Sequence, residues 1–89
     1  MEANQKKIEA LYDLILRLQT REECQALFAD LCTVKEVEKM AERVHAAKLL
    51  MEGKTYQQVM EQSEISSATL SRVSRCVQNG TGYKNFLKG

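Results

Sequence analysis

Three times along this chain a threonine stands three residues ahead of a Glu or Gln, at the head of an apolar stripe. The pairs are Thr20 with Glu23, Thr33 with Glu36, and Thr55 with Gln58. In such a pair the threonine oxygen accepts from an unpaired N–H of the first helical turn. The longer side chain reaches back to accept from the cap's own N–H. Each pair therefore marks a helix start. Three starts in 89 residues, with no proline and no alternating strand pattern, restrict the chain to an all-helical fold.

The apolar spacing fills in the helices. A first helix is expected from about Asn4 to Leu18, with Ile8, Leu11, Tyr12, Leu14, Ile15, Leu16 and Leu18 covering most of its circumference. A helix apolar nearly all round must be covered on nearly all sides, and a chain this short has little protein of its own to do that. A second copy of the chain is the expected cover. The second helix, about Arg21 to Leu31, carries the stripe Cys24, Leu27, Phe28 and Leu31. The third runs from Thr33 to about Glu52, with Val37, Met40, Ala41, Val44 and Met51 on one face and Leu49 and Leu50 widening it. Gly53 is placed to end it in the left-handed conformation.

Two short helices follow, Thr55 to about Gln62 and Ser66 or Ser67 to about Gln78. The latter has Leu70, Val73 and Val77 inward and Asn79-Gly80 closing it. Tyr83, Phe86 and Leu87 give residues 81–89 enough apolar surface for a short docking helix or an ordered tail.

Residues 55–73, TYQQVMEQSEISSATLSRV, have the layout of a helix-turn-helix. Val59 lies in the first helix, Ile65 at the turn exit, and Leu70 and Val73 on the buried side of the second. Ser66, Ser67, Ala68, Thr69, Ser71, Arg72 and Arg75 are the candidate DNA-binding residues of that second helix. Small side chains let a helix approach a major groove closely. Hydroxyls and N-terminal N–H groups suit phosphates, and arginine can bond guanine bidentately. The motif departs from the common pattern at Met60, where alanine is usual, at Ser63, an apolar site, and at Glu64, the turn glycine. A turn without glycine holds a positive φ only at a cost, so a differently shaped turn is expected. An ordinary helical hairpin with a solvated serine-rich face is the competing reading.

Charge adds a bias in the same direction. Residues 65–89 hold Arg72, Arg75, Lys84 and Lys88 and no acid, a charge of +4. Residues 1–64 carry nine basic against twelve acidic side chains, a charge of −3. A local positive field governs encounter with nucleic acid more than the net +1 of the whole chain.

From Leu31 to Val77 the sequence resembles the bacterial tryptophan repressor superfamily, and most nearly its small YerC/YecD-type branch. The resemblance rests on the threonine opening the central helix, E-x-x-x-x-A-E-R-V within it, L-L-x-x-G at its end, and A-T-L-S-R in the reading helix. It implies a six-helix chain in an interlocked homodimer, with two reading heads about one DNA turn apart, roughly 34 Å, set for a palindromic operator. It divides the single domain 1–89 into dimerisation and central helices (1–53), a helix-turn-helix (55–78) and a short C-terminal helix or tail (81–89).

The resemblance further implies a co-repressor pocket at Thr33, Arg43, Arg72 and Cys76, with a ring held between the two guanidinium planes. Two positions weigh against tryptophan itself as the ligand. Val73 stands where the family has glycine and would crowd a ring, and Cys76 replaces a serine that holds the ligand's amino group. Another small ligand, or none, fits this sequence better. Without a co-repressor, Arg43 reads as a surface cation and Arg72 as a phosphate contact.

Other classes find little support. Three cysteines at irregular spacing, Cys24, Cys32 and Cys76, fit neither a disulfide framework nor a paired zinc motif, and read as free thiols. His45 has no metal-ligand partner at suitable spacing, and no catalytic motif appears. No enzyme activity, metal or obligate cofactor is expected. MEANQKK leads into no signal-peptide run, and no stretch is apolar for the ~18 residues of a membrane span, so a cytoplasmic location without membrane association is expected. The expected function is sequence-specific regulation of transcription through duplex DNA. A helical protein–protein adaptor that keeps the fold without reading DNA is the alternative.

Overall fold

The computed structural model describes residues 2–87. The described residues form six helices and no strand: α1 (Glu2–Leu16), α2 (Arg21–Leu31), α3 (Val34–Met51), α4 (Tyr56–Gln62), α5 (Ser67–Asn79) and α6 (Gly82–Phe86). The chain divides into two compact units at the junction of Val34 and Lys35. Lys88, one of the four basic residues counted in the C-terminal segment, lies outside the described residues.

In the N-terminal unit, α1 ends two residues sooner than its apolar run predicts. The N–H groups of Arg17 and Leu18 donate to the carbonyls of Leu14 and Ile15, both at 3.1 Å, a tightening that closes the helix. Thr20 caps α2, its Oγ1 accepting from the Glu23 N–H at 3.1 Å. The Glu23 carboxylate accepts from the N–H of Gln19 at 2.7 Å, one residue outside the expected partner. No residue of α1 or α2 is buried. Tyr12 is 58% exposed and Leu16 80%, and Ile8, Leu14, Ile15 and Leu31 are also open. The apolar circumference read from the sequence thus meets no full cover within a single chain.

The second unit contains the core: Ala46, Ala47, Leu49, Val59, Ile65, Leu70 and Val73, with Leu50, Val77, Tyr83 and Leu87 packed against it. Of the face expected for α3, Leu49 and Leu50 do join that core, but the rest of it does not lie among the core residues. Ala46 and Ala47 are wholly buried, and Leu49 nearly so. Val44 and Met51, from the predicted stripe, are exposed. At 100° per residue that stripe lies on the side of α3 opposite Ala46 and Leu50. Alanine's methyl contributes little to a hydropathic pattern, so its burial is hard to foresee from one.

The end of α3 is as expected. Gly53 has φ +94°, its N–H donates to the Leu50 carbonyl at 3.1 Å, and the Lys54 N–H donates to the Leu49 carbonyl at 3.0 Å. This pair of crossed bonds is a Schellman closure. Gly80 closes α5 in another way. Its φ of −87° and ψ of 179° are extended, so α5 does not end in a left-handed cap. Glycine is needed there for space, since a Cβ would lie 2.7 Å from the Cys76 carbonyl oxygen, which already accepts from the Gly80 N–H. The helix α6 then returns Tyr83 and Leu87 to the core, with Lys84 Nζ donating to the Gln78 carbonyl at 2.6 Å.

Candidate nucleic-acid interface

The helices α4 and α5 cover the segment read as a helix-turn-helix, and their caps explain where each begins. Thr55 makes a full capping box: its Oγ1 accepts from the Gln58 N–H at 3.2 Å, and Gln58 Oε1 accepts from the Thr55 N–H at 2.9 Å. For a seven-residue helix such ends supply much of the local stability. Ser63, the polar residue at an expected apolar site, closes the other end. Its hydroxyl donates to the Val59 carbonyl at 2.8 Å, satisfying an acceptor that the helix leaves free.

The turn is shaped without glycine. No described residue other than glycine has a positive φ; Ser63 and Ser66 are both extended, and Ile65 drops into the core. The chain thus crosses from α4 to α5 as a short extended segment, and Glu64 needs no left-handed conformation. Met60 stays on the outside, 41% exposed, so its bulk costs the crossing nothing.

Leu70, Val73 and Ser74 are buried along the inner side of α5, and this fixes which residues face out. Ser67, Ala68, Ser71, Arg72 and Arg75 are all exposed. Ser66 is exposed too, but its hydroxyl serves the helix, accepting from the Thr69 N–H at 3.2 Å and donating to Thr69 Oγ1 at 3.0 Å. Thr69 is half-buried on the flank. No acidic residue occurs in α5, so the two guanidiniums dominate its outward charge. One contact was not anticipated. Tyr56, in the first turn of α4, donates its hydroxyl to Ser71 Oγ at 3.2 Å, fifteen residues on. An aromatic directly after a cap threonine was the available signal, but helical periodicity cannot see a contact across a turn.

Two of the candidate pocket residues line one hollow and a third lines another. Arg72 and Cys76 line a broad hollow of about 330 Å³ with Arg75, Asn79 and Gly80. Arg43 lines a separate one of about 130 Å³ with Lys39, Glu42, Glu64, Ile65, Ser66 and Thr69. Thr33 belongs to the N-terminal unit. Val73 is 1% exposed in the core and is not among the residues of the first hollow. Cys76 does line that hollow. Among the described residues no group of three His, Cys, Asp or Glu side chains could hold a metal ion, and no helix is long and apolar enough to cross a membrane. Cys24, Cys32 and Cys76 are free thiols.

Comparison with known proteins bears on the same helices. The sequence profile of the Trp repressor protein family matches residues 6–89. An uncharacterised protein of Bacillus subtilis strain 168, YerC, is 41% identical over 75 residues, covering 84% of this chain and 72% of its own. Among solved structures, a candidate Trp repressor from Staphylococcus aureus superposes with a TM-score of 0.80 at 43% identity, covering 84% of this chain and 75% of that one. A TrpR-like protein from Eubacterium eligens ATCC 27750 gives a TM-score of 0.84 at 36% identity, over 89% and 82% of the two chains.

Proposed function

This chain belongs to the Trp repressor protein family, whose members are generally DNA-binding regulators, and we propose that it is a homodimeric repressor that reads duplex DNA through α5. The observation that carries this is the division of α5 into two sides. Leu70 and Val73 anchor one side in the core, and the other offers Ser67, Ala68, Ser71, Arg72 and Arg75 to solvent with no acid among them. Small residues at the helix start admit close approach to a groove floor, and the arginines one and two turns further supply bidentate donors. The open apolar surface of α1 gives a second copy of the chain something to cover, and a dimer presents two such helices to a palindromic site. Occupying a promoter in that way blocks transcription without any enzymatic step, in a cytoplasmic setting.

Selection from a pool of random duplex DNA at physiological salt, followed by sequencing of the retained fraction, tests the proposal. A palindrome with half-sites about one turn apart, roughly 34 Å, is the expected product. Repeating the selection with free amino acids present tests whether the hollow at Arg72, Arg75 and Cys76 takes a co-repressor. Retention without any motif, insensitive to salt, would favour an adaptor that has kept the fold, because phosphate binding weakens steeply with salt through counterion release.

A further inference from the structure

The hydrogen bond between Tyr56 and Ser71 joins the two helices of the head on its solvent side. Both partners are exposed, so the bond does little for the core, which lies on the other side of α5. Resting on the DNA-binding reading above, we propose that Tyr56 is a positioning residue that aims the Ser71 hydroxyl at a backbone phosphate of the bound duplex.

The placement of Ser71 decides between a base and a phosphate. On a helix of 3.6 residues per turn, Ala68, Arg72 and Arg75 cluster opposite the buried line of Leu70, Val73 and Ser74. Ser71 lies roughly 70° to one side of that cluster, on the flank towards Tyr56. A helix with its side chains is about 10–12 Å across, close to the ~12 Å width of the major groove. The outward centre of such a helix meets base edges, and its flanks meet the phosphate walls. Thr69 stands on the opposite flank, beside the hollow that Lys39 and Arg43 line.

The chemistry explains why a tyrosine is needed. An ionised phosphate only accepts, so Ser71 must donate its single proton outward. A serine within a helix can instead turn that proton back to the carbonyl four residues earlier, here Ser67. Tyr56 donates into the Ser71 oxygen, which leaves the serine proton as the free donor and polarises it towards a stronger bond.

Three variants measured together test this: Tyr56→Phe, Ser71→Ala and the double substitution. Each is titrated against the duplex selected by the wild-type chain and against an unrelated duplex, with thermal melts to confirm folding. Tyr56→Phe keeps the ring and is expected to weaken binding to both duplexes about five-fold, the loss typical of one hydrogen bond. The double variant should match Ser71→Ala alone. Neutral methylphosphonate substituted at successive backbone positions supplies a readout that a merely structural role would not move. At the contacted phosphate, wild type and Tyr56→Phe should become equal. Wild-type affinity in Tyr56→Phe, or losses that add in the double variant, would overturn the positioning role while leaving DNA binding intact. A wild-type chain that binds neither duplex would remove the underlying reading and this proposal with it.

Discussion

Leu70 is wholly buried beneath the proposed reading face, in a core built with Ala46, Ala47, Leu49, Val59, Ile65 and Val73. Replacing it with alanine removes three carbons, worth ~2.4 kcal/mol at ~0.8 kcal/mol per buried methylene. The rest of that core includes two alanines and two valines, short side chains that can move little to fill the space. The cavity term then raises the total to ~3–4 kcal/mol, within the range for buried leucines. Proteins of this size hold ~4–13 kcal/mol in all, so the variant should stay folded but lose much of its margin. Urea unfolding followed by circular dichroism, at one fixed protein concentration, measures it. With a slope near ~1–1.5 kcal/mol/M, the midpoint should fall by ~2–4 M. A loss under ~1 kcal/mol would mean that α5 is not seated on the Ala46–Ala47 face, and the assignment of its outward residues would fall with it.

Gly53→Ala should lower stability by ~1 kcal/mol, read as a drop in melting temperature, because φ is +94° there although no atom lies within 4 Å of the added methyl. Arg72→Ala and Arg75→Ala should each weaken binding to the selected duplex by ~1–3 kcal/mol and relax preference at one base pair if they read bases; unchanged affinity and preference in both would place the reading surface elsewhere. Sedimentation equilibrium should give twice the 10.1 kDa chain mass at micromolar concentration, and a 10.1 kDa species would end the dimer proposal.

Some of this was legible in the sequence for definite reasons. The bounds of α2 and the starts of α4 and α5 follow from side chains that satisfy their own helix ends, Thr20, Thr55 and Ser66, and such bonds depend only on local spacing. The buried side of α5 was legible because Leu70 and Val73 are large and regularly spaced. The inner face of α3 was legible only at Leu49 and Leu50, since Ala46 and Ala47 weigh little in any apolar pattern yet are wholly buried. Gly80 was read as closing α5, and it does so for want of space beside the Cys76 carbonyl. The pairing of Tyr56 with Ser71, and the separation of Arg43 from Arg72 into different hollows, depend on how helices cross. A one-dimensional pattern does not carry that information.

The two faces of α3 have a consequence for how such a chain can change. Its alanine side, Ala46 and Ala47, belongs to the core under the proposed reading face, and ahead of it the helix carries the stripe Val37, Met40, Ala41 and Val44. Because both belong to one continuous helix, the angle between them is set by the number of residues that separate them. A substitution on either side leaves that phase alone. One residue inserted between Val44 and Ala46 would rotate the alanine side by ~100° against the stripe and advance it ~1.5 Å. The head would then point away from its former direction relative to whatever covers the stripe. Along this helix, residue identity is free to drift wherever size is respected, but residue count is not.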